Sequence, residues 1–150
     1  MTSSPTSIQS LTHLEPRLLY SPTMTTTTTS KANQLEQRLI AFAAAIISLC
    51  SKLPKNPQGR HICSQLLRSG TASAANYGEA RGTESRADFV HKLKVTSKEL
   101  NETVIWLEII AQSSLVSPES VAAIVAENRE LCRIIAASIK TVRGSETQRQ

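Results

Sequence analysis

From Lys31 onward the apolar residues of this chain recur every three or four positions, and no segment alternates with the two-residue rhythm of a half-buried strand. Leu35, Leu39, Phe42, Ile46 and Leu49 form one stripe, which predicts a first helix over 31–51. The run "KLPKNPQG" ends it, because Pro54 and Pro57 cannot continue a helix interior. Asn56 followed by Pro57 is an N-cap and first-turn pair, opening a second helix that runs to Arg81, with Gly82 suited to the turn beyond. Ser85 with Asp88 three residues on forms a capping box with Asp in place of Glu. The third helix then carries Phe89, Leu93, Leu100, Val104, Leu107 and Ala111. Ser117 and Pro118 repeat the cap pair, and the fourth helix carries Val121, Ile124, Val125, Leu131, Ile135 and Ile139. Four such helices with short links predict an all-α protein, an antiparallel up-down four-helix bundle over 31–143.

The stretch from Gln65 to Phe89 breaks the apolar texture with small and polar residues. Ser69, Gly70, Ser73, Ala74 and Tyr77 fall on one face of the second helix, so steric fit to a closely approaching helix explains them; a buried polar site is the alternative. Gly70 costs the helix about 1 kcal/mol relative to Ala, a loss that close contact would offset.

Outside the periodic region the pattern stops. Residues 1–30, with the low-complexity run "SPTMTTTTTS", are expected to form a disordered tail, as are residues 144–150. The N-terminal stretch has no basic segment leading into an apolar core, so it does not read as a secretory signal, and Met24 offers a second start position. No apolar run approaches the ~20 residues of a membrane span, so a cytoplasmic protein without a membrane partner is expected.

Composition agrees with helices: aromatics are 3% and glycines number 5, thin for a sandwich or barrel. The net charge is +5, with Lys and Arg concentrated between Lys52 and Lys98 and Glu in excess over 99–139. That asymmetry permits an anionic partner. Counted by height along the bundle, Lys31, Arg81, Arg86, Lys92, Lys94, Lys140 and Arg143 gather at the end holding the turn between helices two and three. They form a basic rim. Such a rim would contact RNA or DNA through the phosphate backbone without reading sequence; a solvated end that keeps the bundle soluble is the other reading.

Candidate chemistry is sparse. Cys50 and Cys63 stand equally far from the first turn and so share a layer, but Cys132 lies about 15 Å along the axis and His91 about 29 Å. With His61 near Cys63 and His13 in the tail, four zinc ligands do not assemble, so no metal is expected and the cysteines read as core residues or free thiols. There is no nucleophile elbow and no phosphate-cradling glycine loop. Glu99 and Glu102 lack the Glu-x-x-His repeats of a di-iron bundle. Glu102 instead falls within about 3 Å in height of Arg68, the spacing of a structural ion pair. Neither an enzyme nor a cofactor is expected. Trp106 sits off the Leu100–Leu107 stripe in line with Ile105 and Ile109, giving helix three a second apolar flank. That flank either widens the core or anchors a subunit interface.

Specific landmarks lie along the second and third helices: Gln65 to Arg68, Ala75-Asn76-Tyr77 with Glu79-Ala80, Ser85 with Asp88-Phe89, Lys92-Leu93-Lys94, Glu99-Leu100, and Glu102 with Trp106-Leu107-Glu108. On these the chain resembles the four-helix bundle proteins encoded in intervening sequences of 23S ribosomal RNA genes. It is also similar to the accessory proteins of diversity-generating retroelements. The resemblance implies a non-enzymatic bundle that assembles into homo-oligomers, pentameric rings among them, and it favours the interface reading of Ile105, Trp106 and Ile109. It gives Arg68, Asn76, Glu79, Asp88 and Glu102 structural roles beside Gly70. For a retroelement-associated member it implies a reverse transcriptase as partner. Gly78 departs from the pattern, standing where relatives often carry a basic residue. Two functions are therefore expected to compete: an oligomeric accessory factor gripping nucleic acid backbone, and a protein-interaction scaffold without nucleic-acid binding.

Overall fold

The structure, a computed structural model, describes residues 30–147; the expected N-terminal tail lies outside the described residues, apart from Ser30. Four helices follow in order: α1 Lys31–Lys52, α2 Pro57–Arg81, α3 Arg86–Gln112 and α4 Pro118–Thr147. Their starts follow the local chemistry of the caps. Ser30 Oγ accepts the Asn33 amide, Asn56 Oδ1 accepts the Gly59 amide at 2.8 Å, and Ser85 Oγ accepts the Asp88 amide. Each cap satisfies a first-turn amide that has no intrahelical partner. Pro57 takes the first position of α2, where its missing N–H costs nothing.

The backbones approach one another closely between α1 and α2, α2 and α3, α3 and α4, and α4 and α1, and the diagonal pairs do not. Arg81 at the end of α2 pairs with Glu36 at the start of α1, while Cys50 and Cys63 meet at the other end. Arg86 at the start of α3 bonds the Val142 carbonyl near the end of α4. Neighbours thus run antiparallel, and the architecture is an all-α four-helix bundle. Its centre is filled by Leu39, Ile46 and Leu49 of α1, Leu66 of α2, Leu93, Leu100, Leu107 and Ile110 of α3, and Val121, Leu131 and Ile135 of α4, all fully buried. Each such side chain contributes about 1.5–3 kcal/mol relative to exposure.

α4 continues past Arg143 to Thr147, where the sequence pattern placed a C-terminal tail. The reason is a contact that periodicity does not display. Arg86 donates to the Val142 carbonyl and the Ser145 hydroxyl, tying the last turns of α4 to the start of α3.

Small residues bring the helices together where expected. Ser69, Gly70 and Ser73 are buried, and a Cβ built on Gly70 would lie 2.9 Å from Ile46 of α1. Gly59 is under a tighter constraint: a Cβ there would stand 2.0 Å from the Pro54 carbonyl oxygen, so the α1–α2 turn folds back onto it.

Candidate interaction surfaces

The seam between α2 and α3 carries a connected polar network. Arg68 bonds Glu102 and also reaches Glu99 at 3.3 Å, so both carboxylates share one guanidinium. The Trp106 indole N–H donates to Glu102 Oε1 at 3.3 Å, and its ring meets His61 edge to face, with centroids 5.9 Å apart. Hydrogen bonding from Arg68, reinforced by Trp106, holds the Glu102 carboxyl below its ordinary range. Beneath this network Thr103 Oγ1 donates to Ser69 Oγ at 3.0 Å in the core. Asn76 donates to the Ala72 carbonyl within α2, Asp88 accepts from Ser85, and Glu79 pairs with Lys92. These are structural contacts.

Trp106 and its two flank partners separate in the structure. The Trp106 ring is half-buried and packs against the core from the α2 side, whereas Ile105 and Ile109 face outward with 58% and 39% of their surface exposed. α1 carries a second pair, Ile40 at 49% and Ile47 at 55%, which the sequence reading missed. A signal was present. Ile40 and Ile47 share a face of α1 well off the stripe of Leu35, Leu39, Phe42, Ile46 and Leu49, so no partner within the bundle can cover them.

The basic end divides as well. Arg81 is held by Glu36 and by Asn33 Oδ1 at 2.6 Å, Arg86 by the end of α4, and Lys92 by Glu79. Lys31, Lys94, Lys140 and Arg143 are exposed, and none of them makes an ion pair among the described residues. Lys140 and Arg143 flank a shallow groove of about 380 Å³ floored by Ala136, Ile139 and Gly144. The rim is therefore narrower than height alone suggests, since a count of heights does not show which cations already have carboxylate or carbonyl partners.

Among the described residues, no three His, Cys, Asp or Glu side chains converge as metal ligands, and no helix is long and apolar enough to cross a membrane. Cys132 instead donates to Asn128 Oδ1 and Asn101 Oδ1, away from the other thiols.

Residues 31–137 match the family model described as 23S rRNA-intervening sequence protein. The chain belongs to this family. A solved relative is a protein of unknown function from the S23 ribosomal protein family of Bacteroides thetaiotaomicron, 33% identical, with a TM-score of 0.67. The match covers 71% of this chain and 98% of that one. No curated protein matches the chain. The residues that carried the resemblance now have a place: Arg68, Glu79, Lys92, Glu99, Glu102 and Trp106 line the α2–α3 seam, where they bond one another. Part of what made the family recognisable is thus a network that pairs α2 with α3.

Proposed function

We propose that the protein is a non-enzymatic, cytoplasmic interaction module that assembles with copies of itself through its outward isoleucines. The observation that carries this reading is the pair of apolar faces, Ile40 with Ile47 on α1 and Ile105 with Ile109 on α3. α1 and α3 stand diagonally opposite in the bundle. The two faces therefore cannot both serve one two-fold contact. Joining the α1 face of one copy to the α3 face of the next is a head-to-tail contact, which closes into a ring when the rotation per subunit allows. A pentamer is the ring that family resemblance favours.

Light scattering tests this directly. Wild-type protein should be oligomeric, and either Ile40→Asp with Ile47→Asp or Ile105→Asp with Ile109→Asp should give monomers. Mixing the two monomeric variants should restore a dimer, because one intact pair of faces remains. A monomeric wild type would overturn the proposal, and variants that fail to complement would refute head-to-tail pairing.

A second reading rests on a different observation, the exposed Lys31, Lys94, Lys140 and Arg143 in a chain of net charge +5. In a ring these cations would add, giving backbone binding to RNA or DNA that weakens steeply with salt, as an accessory factor beside a reverse transcriptase would require. Charge reversal at Lys94, Lys140 and Arg143 should then abolish the shift of labelled RNA or DNA while leaving the assembly intact. Wild-type protein that ignores both at low salt would leave the interaction module alone.

A further inference from the structure

The two cysteines that the sequence placed in one layer meet in the structure. Cys50 is buried near the end of α1, and its thiol lies 3.7 Å from the Cys63 carbonyl oxygen on α2. Burial, together with hydrogen bonding to Cys63, pushes the Cys50 thiol up to about 12. Cys63 is half-buried, and both cysteines line an open cleft of about 360 Å³. Leu53, Pro54 and Leu67 supply apolar wall, while Lys55, Arg60 and Ser64 add polar groups to the lining. Toward this end of the bundle α1 and α2 stay close: Gly70, two turns along α2 from Cys63, lies against Ile46, and the turn at Pro54 folds back onto Gly59. Close approach of the two backbones is what a disulfide between neighbouring helices requires.

We propose that Cys50 and Cys63 form a reversible oxidative-modification site, in which a hydroperoxide entering the cleft converts the two thiols into a disulfide joining α1 to α2. Access and contact divide the roles. Cys63, the thiol nearer solvent, loses its proton to water and attacks the peroxide. A sulfur–oxygen bond forms as the oxygen–oxygen bond breaks, and the second oxygen leaves as alcohol or water after taking a proton. Cys63 is then a sulfenic acid. The Cys50 sulfur attacks it, forming the sulfur–sulfur bond and releasing water that carries away the Cys50 proton. Two electrons pass from the sulfurs to the peroxide, which is the oxidant. A dithiol reductant reverses the step by exchange.

The test uses the full chain with hydrogen peroxide at one equivalent. Reduced protein should show three reactive thiols when unfolded, matching its three cysteines. Oxidised protein should show only Cys132, and dithiothreitol should restore the others. Lys52, Lys55 and Arg60 lie between the two cysteines, so trypsin separates their peptides unless a disulfide holds them together. Joined peptides lighter by two hydrogens are the expected result, with a melting temperature several degrees higher because the closed loop restricts the unfolded chain. A Cys50→Ser variant should instead accumulate sulfenic and sulfinic acid on Cys63. The proposal is overturned if oxidised wild type keeps Cys50 alkylatable, or if the linked peptides contain Cys132.

Discussion

Between α1 and α2 the backbones approach until a Cβ on Gly70 would lie 2.9 Å from Ile46. Between α1 and α4, by contrast, Ala41, Ala45 and Ala123 leave a cleft of about 280 Å³, floored by Phe42 and Ile124 and bridged at its rim by Arg38 and Glu127. Both seams use small side chains, and they do so to opposite effect. A glycine on the buried face of α2 lets a branched side chain of α1 fill the space completely. Alanines on both sides of the α1–α4 seam leave a cleft open to solvent, and contact between those two helices is the thinnest of the four. Small residues therefore tighten a joint only where the facing residue is large. The α1–α4 seam is therefore where local opening should begin.

The sharpest way to break this contrast is to put the same side chain into both seams. Gly70→Leu gains about 1 kcal/mol of helix propensity but drives a branched side chain into Ile46, where overpacking costs about 3 kcal/mol or more. The net loss should be about 2 kcal/mol, read as a lower urea midpoint. Should Gly70→Leu fail to fold, Gly70→Ala keeps the test open, since its Cβ alone meets Ile46. Equal stability of wild type and both variants would mean that the α1–α2 seam is loose.

The reciprocal substitution has a smaller effect of opposite sign. Ala45→Leu places its side chain into the α1–α4 cleft, where it covers Phe42 and Ile124. It should be neutral or stabilising by up to about 1 kcal/mol, as cavity-filling changes commonly are. A loss comparable with that of Gly70→Leu would erase the distinction between the seams.

The difference between the seams was only half legible in the sequence. The helices and their starts were legible because Asn56, Pro57, Ser85 and Pro118 act on the first turn they occupy, through local rules. Gly70 was legible because a glycine on the core face of a long helix needs a reason. Arg68 with Glu102 followed from height alone, since antiparallel helices with short links fix which levels coincide. Height does not give azimuth, and the remaining features depend on it. Glu99 also reaches Arg68, Arg86 turns to α4, and Trp106 leans toward α2 while Ile105 points outward. Gly59 was invisible for another reason: its constraint comes from the path of the turn at Pro54, which no periodicity describes. Asn128 is the plainest case. It occupies a core position of α4, fully buried with its Nδ2 unbonded, where pattern alone would place an apolar residue.

The smallest effect should come from the polar network that closes the α2–α3 seam, and it can be read optically. Trp106 is the only tryptophan, and its indole donates to the carboxylate that Arg68 holds, so its fluorescence should report protonation of Glu102. The Glu102 carboxyl is depressed in the folded protein, first by Arg68 and then by Trp106. For a depressed acid, the contribution to stability is complete above the unfolded value, about 4.3 for Glu, and is lost as the pH falls through the lower folded value. The fluorescence midpoint should therefore lie below about 4.3. Arg68→Gln should move it upward, because the largest cause of the depression is gone. The accompanying change in stability at neutral pH should be slight, since the pair is solvent-exposed and screened. Glu102→Gln should abolish the transition and leave the fold in place. A midpoint that does not respond to Arg68→Gln would show that the guanidinium does not hold this carboxylate in solution, and the α2–α3 seam would then rest on the Lys92–Glu79 pair, on Ser69 with Thr103, and on its apolar contacts.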